Sequence, residues 1–336
     1  MPLPTLGDVH VNRPLTMMSM GYQQEMTDFV AGNVFPEIPV SHKSDVYFKY
    51  SRADFFRNSM KKRAPSTPAE AGGYKLASAP YTIDVWALQK PIDDQIRANS
   101  DSPLNPDRDA TMYLTQQALI NRDVNWAAAF FQPGVWQYNI AGGTGSPSSS
   151  LFRHWNLAGS TPIDDILAGH LRVKQNTGLW PNTLVLGART YLSLLVNPQI
   201  IDRLKYGAVT GGPVMVTTTN LEALFRVKRV LVMGGIQTTS PENMTADSDD
   251  GDDTFDFIAG DHAWLGYAAD SPGLMQASAG YTFNWTGYLG ATNAGTRIKK
   301  YRWEIIASDL LEIESAYGFG QVSKHLGYFF ENALQS

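Results

Sequence analysis

The 336-residue sequence contains no cysteine. This absence excludes a disulfide scaffold, a cysteine nucleophile, a cysteine zinc site and an iron–sulfur cluster. Stability must therefore come from non-covalent packing, and a hydrophobic content of 43% supplies ample core material. The chain is rich in turn formers and aromatics, with 29 Gly, 19 Pro, 8 Trp, 15 Tyr and 15 Phe. This composition favours a mixed α and β fold over a helical bundle.

The sequence also lacks an excess of basic charge. Lys and Arg total 27 against 32 Asp and Glu, which gives a net charge of −5. Proteins that bind nucleic-acid phosphates usually carry an excess of positive charge. We therefore expect no tight or sequence-specific DNA binding. No window approaches 18 uninterrupted apolar residues, and no basic segment leads into an apolar stretch at the amino terminus. We expect a chain that is made in the cytoplasm and does not contact a membrane.

Enzyme signatures are absent from the sequence. It contains no P-loop, no dinucleotide-binding glycine motif after a strand, no Gly-x-Ser-x-Gly and no His-Glu-x-x-His. Six histidines lie far apart, and His262 stands beside Asp261 within a β segment. Either His262 is an acid/base group or it makes an ordinary hydrogen bond at a strand end, and we favour the second interpretation. We therefore expect neither an enzyme nor a bound cofactor.

An acidic run, DSDDGDDTFD, occupies residues 247–256. Clustered carboxylates suit a hard cation such as calcium, but the pattern departs from a calcium loop because its fifth position is Gly251 and no Glu follows before Glu304. We expect a solvated loop with no metal, and a metal-dependent hydrolase is the weaker alternative. The candidate metal ligands are Asp247, Asp249, Asp250, Asp252 and Asp253.

The first 90 residues read as an arm followed by a hairpin. Pro36 and Pro39 predict an extended backbone that must lie along another element. Alternation over 46–57 and again over 81–85 predicts two strands whose connection is too polar for a core, so the hairpin should project from the body. Such segments gain order by lying on another surface, which predicts burial against neighbouring subunits. The candidate contact residues are Phe35, Ile38, Phe48, Tyr50 and Phe55.

Lys61, Lys62 and Arg63 form the only three-residue basic cluster of the chain, near the tip of this hairpin. One interpretation is nucleic-acid binding. The other is a clamp between subunits, in which these charges meet acidic groups on a neighbour. Stacking aromatics do not interleave with the cluster, and we therefore favour the clamp.

The rest of the chain predicts one long helix and then a compact α/β segment. Asn105 as N-cap and Pro106 at the first helical position predict a helix over about 105–132. A Gly, Ser and Pro stretch at 141–150 predicts a flexible excursion. The later segments are helices at 162–175, 189–196, 198–206 and 220–225, strands at 183–187, 228–234, 255–268, 281–289, 297–307 and 310–319, and an amphipathic piece at 324–334.

This order of elements resembles the tailed-bacteriophage major capsid proteins, the HK-97-like fold. Four sequence segments also resemble those of the family. They are NVFPEIPV at 33–40, Arg63–Pro65, TLVLGARTYLSLLVNPQIIDRLKY at 183–206 and FRVKRVLVMGG at 225–235. It implies an α+β fold with five parts. These are an N-terminal arm at 1–44, an E-loop hairpin at 45–90, a peripheral domain with the spine helix at 91–160, an axial domain at 161–290, and strands at 291–336 that return to the peripheral domain.

The resemblance implies a structural protein rather than a catalyst. Its copies would form hexamers and pentamers of an icosahedral virion capsid, assembled in the host cytoplasm around double-stranded DNA. A separate scaffolding protein and a portal are the further partners it implies, and whether a decoration protein is added stays open. An encapsulin-like compartment for protein cargo, with the same fold, is the alternative.

Overall fold

The computed structural model describes residues 23–100, 104–148, 150–207, 216–240, 254–273, 275–289 and 295–335. Helices in this part of the chain are α1 Ala31–Val34, α2 Arg52–Phe55, α3 Asp94–Asn99, α4 Pro106–Phe130, α5 Pro162–Thr177, α6 Ala188–Val196, α7 Pro198–Gly207, α8 Thr218–Phe225 and α9 Thr286–Leu289. The strands are β1 Glu37–Val40, β2 Ser44–Tyr50, β3 Leu76–Thr82, β4 Asp84–Asp93, β5 Tyr138–Gly143, β6 Leu151–Arg153, β7 Thr183–Gly187, β8 Arg229–Met233, β9 Ile236–Thr238, β10 Phe255–Phe257, β11 Ala263–Gly266, β12 Gly280–Trp285, β13 Thr296–Trp303, β14 Ser308–Gln321 and β15 Gly327–Glu331. Short 3-10 helices lie at Met26–Asp28, Glu304–Ile306 and Lys324–Leu326.

A six-stranded mixed sheet has the order β6-β5-β15-β11-β7-β8. Its central strands are apolar because both faces are covered, and all five residues of β7 are buried. Helices α5, α6 and α8 pack close to this sheet. Phe152, Trp155, Ile166 and Phe330 form part of the core on that side.

A five-stranded sheet has the order β1-β12-β14-β13, with β4 also paired to β14. The 14-residue strand β14 is its axis, because β4, β12 and β13 all hydrogen-bond to it. Helix α4 lies along this sheet, where Ala110 and Leu114 meet Leu311 and Ile313. None of the helices described has the length and apolar content needed to cross a membrane.

The long helix predicted from its start signals is confirmed as α4. The Asn105 side chain accepts a hydrogen bond from the backbone N–H of Arg108 at 3.2 Å, and Pro106 occupies the first turn. The acidic residues Asp107 and Asp109 lie where the helix dipole is positive. These local contacts explain why the sequence alone located this element.

A third core joins the two sheets at the carboxyl end of α4. Phe35 lies in its centre, with its ring centroid 4.8 Å from that of Phe130, 5.4 Å from Trp264 and 6.2 Å from Trp126. The aromatic rings meet mostly at tilted or edge-on angles, as their quadrupoles favour. Phe35, from the amino-terminal region of the subunit, therefore lies at the centre of the subunit's own core.

Several segments differ from the sequence prediction, among them 52–55 within the predicted strand 46–57 and 286–289 within the predicted strand 281–289, which are both short helices. The segment 255–268 is two strands in different sheets, β10 and β11, because the chain turns at Gly260 with a φ of +54°. The segment 324–334 is mainly β15, in the interior of the six-stranded sheet, where a continuous apolar run is indistinguishable from a buried helical one. Part of the predicted flexible stretch, 141–143, belongs to β5.

Sheet membership crosses the segment boundaries drawn from the sequence. Strands β5 and β6, within 91–160, and β15, within 291–336, all join the six-stranded sheet. Strand β12, within 161–290, joins the five-stranded sheet instead. Returning strands of this kind are paired by contacts distant in sequence, which local patterns do not report.

Candidate subunit interface

The hairpin of β2 and β3 stands as a separate two-stranded sheet. Its base is fixed to the subunit, since the Tyr81 ring stacks on Phe283 at 4.5 Å and the Tyr47 hydroxyl donates to the Gln321 carbonyl at 3.3 Å. Further out the apolar side chains are open to solvent, and Phe48 is 65% exposed. The hairpin therefore carries apolar surface that the subunit itself does not cover.

The outer part of the hairpin is held mostly by its own contacts. The rings of Tyr50, Phe55 and Tyr74 lie 5.5 to 6.0 Å apart, and Phe55 is 49% exposed. One anchor reaches the body, where the Arg52 guanidinium donates to the Asn176 carbonyl at 2.8 Å. The hairpin thus leans on the carboxyl end of α5 instead of projecting freely as the sequence suggested.

The basic cluster near the tip is partly neutralised within the loop. The Lys61 ammonium lies 2.7 Å from a Glu70 carboxylate oxygen, and both side chains are largely exposed. The Arg63 side chain donates to the Thr67 carbonyl. Lys62 is exposed as well. Sequence reasoning missed the Lys61–Glu70 pair because a turn separates the two residues.

Two of the predicted contact residues lie inside the subunit. Phe35 is only 2% exposed and packs in the core between the sheets, so the prediction that it buries against a neighbour is wrong. Ile38 is half-buried and packs against Phe283 and its neighbours in the same subunit. The physical reason is that Pro39 and the residues around it form β1, which pairs in parallel with β12 of the same chain. The extended segment does lie along another element, but that element is its own sheet.

Two charged side chains hold the helix α1 that precedes β1. The Asp123 carboxylate accepts hydrogen bonds from the backbone N–H groups of Val30 at 3.1 Å and Ala31 at 2.9 Å. At the other end the Arg229 guanidinium donates to the carbonyls of Asn33 at 2.8 Å and Val34 at 2.9 Å. Both ends of a helix leave such groups unsatisfied, and here distant side chains supply the partners. An Asp on the buried face of α4 was the sequence signal that we missed.

Burial raises the pKa of Asp123 to about 6, although the backbone hydrogen bonds from Ala31 and Val30 act in the opposite direction. The side chain is 1% exposed. Solvent does not stabilise a carboxylate that is buried in this way. Its hydrogen bonds from the two backbone N–H groups therefore compensate for burial.

A network of ion pairs ties the start of α4 to the hairpin of β13 and β14. Arg97 reaches Asp309 at 2.7 Å and Asp107 at 3.1 Å, and Lys300 reaches Asp107 at 2.9 Å. Hydrogen bonding outweighs partial burial, so that the pKa values of both aspartates lie below their usual range. The network stiffens a hairpin that ends in exposed apolar residues absent from the sequence prediction, Trp303, Ile305 and Ile306 at 43%, 86% and 39% exposure.

His262 makes structural contacts. Its Nδ1 accepts a hydrogen bond from the backbone N–H of Asn332 at 3.0 Å, and its ring lies against Phe131 and Phe329. Burial lowers its pKa despite nearby Glu331. This geometry matches the interpretation of an ordinary hydrogen bond at a strand end.

The five candidate metal ligands lie outside the described residues: Asp247, Asp249, Asp250, Asp252 and Asp253. Within the part of the chain that the structure covers, no three His, Asp or Glu side chains are grouped closely enough to hold a metal ion. The interpretation of the acidic run as a solvated loop stays a prediction.

Comparison with known proteins adds sequence and fold relatives. No family model matches the chain. The major capsid protein of Burkholderia phage BcepMu is 25% identical over 235 residues, which are 70% of this chain and 72% of the relative. A phage-related protein from Bordetella bronchiseptica RB50 superposes with a TM-score of 0.65 at 19% identity, covering 97% of this chain and 98% of the other.

The capsid protein of cyanophage P-SCSP1u superposes with a TM-score of 0.58 at 14% identity, and 99% of each chain is covered. These structural matches establish the fold, and the capsid relative matches most of the chain in sequence. The α+β architecture described above is the one that phage capsid subunits share. In sequence the chain is therefore similar to a phage major capsid protein, and its fold is the HK-97-like fold of phage capsid subunits.

Proposed function

We propose that copies of this chain assemble as hexamers and pentamers into an icosahedral shell that encloses double-stranded DNA. The observation that supports this most is the hairpin of β2 and β3, whose outer apolar side chains are not covered by the subunit. Phe48 at 65% and Phe55 at 49% exposure are unfavourable in an isolated soluble subunit. A neighbouring copy in a capsomer would remove this surface from water, at roughly 25 cal/mol for each Å² buried.

In this arrangement the segments take the parts that the resemblance implies. Residues 45–90 are the E-loop, α4 is the spine helix, the five-stranded sheet belongs to the peripheral domain and the six-stranded sheet to the axial domain. Phe48, Tyr50 and Phe55 contact the neighbour. The nearby cations Lys62 and Arg63 meet its acidic groups, and complementary charge of this kind sets the register of the contact more than its strength.

Further partners follow from the same resemblance and are part of the proposal. A separate scaffolding protein guides curvature, and a portal occupies one vertex. Assembly takes place in the host cytoplasm. The DNA is held without sequence-specific contacts, which agrees with the net charge of −5.

Electron microscopy of the expressed chain, alone and with candidate scaffolding proteins from the same genome, tests the proposal. Closed shells with both five-fold and six-fold capsomers are expected. Small shells built from pentamers alone and filled with a protein cargo would favour the encapsulin-like alternative. Absence of any shell or capsomer under all these conditions would overturn the proposal.

A further inference from the structure

A basic surface lies where the hairpin meets the carboxyl end of α5 and the short 3-10 helix before β15. We name it the basic saddle and define it as Lys49, Arg52, Arg172, Lys324 and His325. Three separate elements contribute: the hairpin, α5, and the 3-10 helix Lys324–Leu326. Arg52, Arg172 and Lys324 are exposed, while Lys49 and His325 are half-buried.

The members of the basic saddle are linked in space. Arg172 lies over the ring of Tyr138, 5.4 Å from its centroid, and the same ring lies 6.2 Å from that of His325. Arg52 donates to the Asn176 carbonyl of α5 at 2.8 Å, one helical turn from Arg172, and Lys49 reaches the Gln321 carbonyl at 3.5 Å, three residues before Lys324. Tyr138 therefore bridges Arg172 and His325, and the remaining members are placed beside them by α5 and by the chain next to His325.

No carboxylate of the described residues lies within 4.0 Å of these cations. Some exposed cations elsewhere in the described residues do have such partners; Lys228, for example, lies 2.7 Å from Asp270. The acid nearest to Arg52 along the chain is Asp54, which accepts from the backbone N–H of Lys75 at 3.0 Å and faces Arg57. What distinguishes the saddle is that several basic side chains without an ion pair lie close together in a chain of net negative charge.

The cations of the saddle are held in place by neutral groups. Lys49 reaches the Gln321 carbonyl at 3.5 Å, Arg52 the Asn176 carbonyl at 2.8 Å, and Arg172 the face of Tyr138. Carbonyl and ring partners orient a cation without cancelling its charge. The pKa of Lys49 is lowered by burial and by Lys324, so the positive charges repel each other as they stand. An anion on the surface would relieve that repulsion.

We infer that the basic saddle binds the phosphate backbone of duplex DNA. The four Lys and Arg side chains come from three elements and form an extended surface, which suits a repeated phosphate chain better than a single small anion. Guanidinium and ammonium groups both bind phosphate, and neither reads a base in this arrangement. Four contacts per subunit give weak binding, which a shell repeats over many copies. The inference rests on the proposed function, because enclosed DNA is the polyanion that such a shell presents.

Binding of a fluorescent 30-base-pair duplex to the purified full-length subunit, titrated at several salt concentrations, tests this inference. The slope of log affinity against log salt should be about −3.6 for four phosphate contacts. The variant Arg52→Gln/Arg172→Gln should reduce the slope to about −1.8, since two contacts are lost. The variant Lys49→Gln/Lys324→Gln should reduce the slope by the same amount. It replaces the first variant in the test if the first variant does not fold. The matched control is Lys205→Gln/Lys228→Gln, which removes equal charge from cations that face carboxylates and should leave the slope unchanged.

Equal slopes for the saddle variants and the control would overturn the inference. So would preferential binding of polyglutamate at the same residues, because that result assigns the surface to an acidic protein segment. Shell formation is scored separately by microscopy. Intact shells with no saddle-dependent DNA binding would refute this inference alone, whereas absence of shells in the unmodified chain would refute the proposed function.

Discussion

Asp123 on α4 accepts a hydrogen bond from the backbone N–H of Ala31, 2.9 Å away and 92 residues earlier in the chain. The same carboxylate also accepts from Val30 at 3.1 Å. The middle of the long helix therefore caps the start of α1 and places Phe35 in the core between the two sheets. The amino-terminal region from residue 23 onward is thus part of the subunit's own fold.

Replacing that carboxylate should destabilise the subunit. In Asp123→Ala two buried N–H groups lose their acceptor, and we expect the free energy of unfolding to fall by about 2 to 4 kcal/mol. Urea unfolding followed by tryptophan fluorescence measures the change, since Trp126 and Trp264 lie in the adjacent core. The control Asp109→Ala, at an exposed site on the same helix, should cost less than about 1 kcal/mol. Equal losses in the two variants would contradict the capping role.

Acid should weaken the five-stranded sheet through Glu314. Burial would raise its pKa, but hydrogen bonds from Lys299, Arg297 and Tyr288 outweigh that effect and lower it to about 2. Because the folded pKa lies below the ordinary value of 4.5, the ion pairs stabilise the fold above pH 4.5 and lose this contribution as pH falls towards 2.

The variant Glu314→Gln should be less stable at pH 7 by about 1 to 2 kcal/mol, since the site is intermediate between exposed and buried ion pairs. The difference between variant and unmodified chain should shrink between pH 5 and pH 3. Thermal unfolding across this range measures it. A difference independent of pH would show that the carboxylate charge contributes nothing.

How far the sequence predicted the fold depended on the range of the contacts involved. The start of α4 was predictable because Asn105 and Pro106 act on residues within one turn. Phe35 was misplaced because its partners Trp126 and Trp264 are distant in sequence, and an apolar residue near a proline carries no sign of which surface covers it. The amphipathic piece at 324–334 was not recognised as the strand 327–331 because an apolar run has no period when both of its faces are buried. The order of elements, by contrast, was sufficient to indicate the fold.

Charge at the hairpin tip should act on assembly and not on folding. Lys61→Glu with Lys62→Glu should reduce shell yield and salt resistance while leaving subunit unfolding within about 0.5 kcal/mol, because both side chains are exposed. The exchange Lys61→Glu with Glu70→Lys keeps the pair within the loop and its net charge. If the Lys61–Glu70 ion pair acts only within the loop, the variant Lys61→Glu/Glu70→Lys should form shells normally. The variant Lys61→Glu/Lys62→Glu should still form fewer shells, because it reverses the charge at Lys62. Normal particles from the double reversal would refute the clamp.

In free subunits, residues 51–75 should be sensitive to protease and residues 29–35 should be resistant. Cleavage of free subunits should fall within 51–75, where nearly all side chains are exposed, and should spare 29–35, where Phe29, Val30 and Phe35 are buried. In assembled shells the cuts within 51–75 should disappear. Mass spectrometry of the fragments locates each cut. Equal cleavage in both states would show that no neighbour covers the hairpin.

The most direct test of the account is a single-particle reconstruction of the assembled shell at a resolution that shows side chains. The account predicts that Phe48 and Phe55, exposed in the subunit, lie within about 4.5 Å of apolar atoms from a neighbouring copy. A shell in which both rings still face solvent, with the subunits joined through other surfaces, would contradict it.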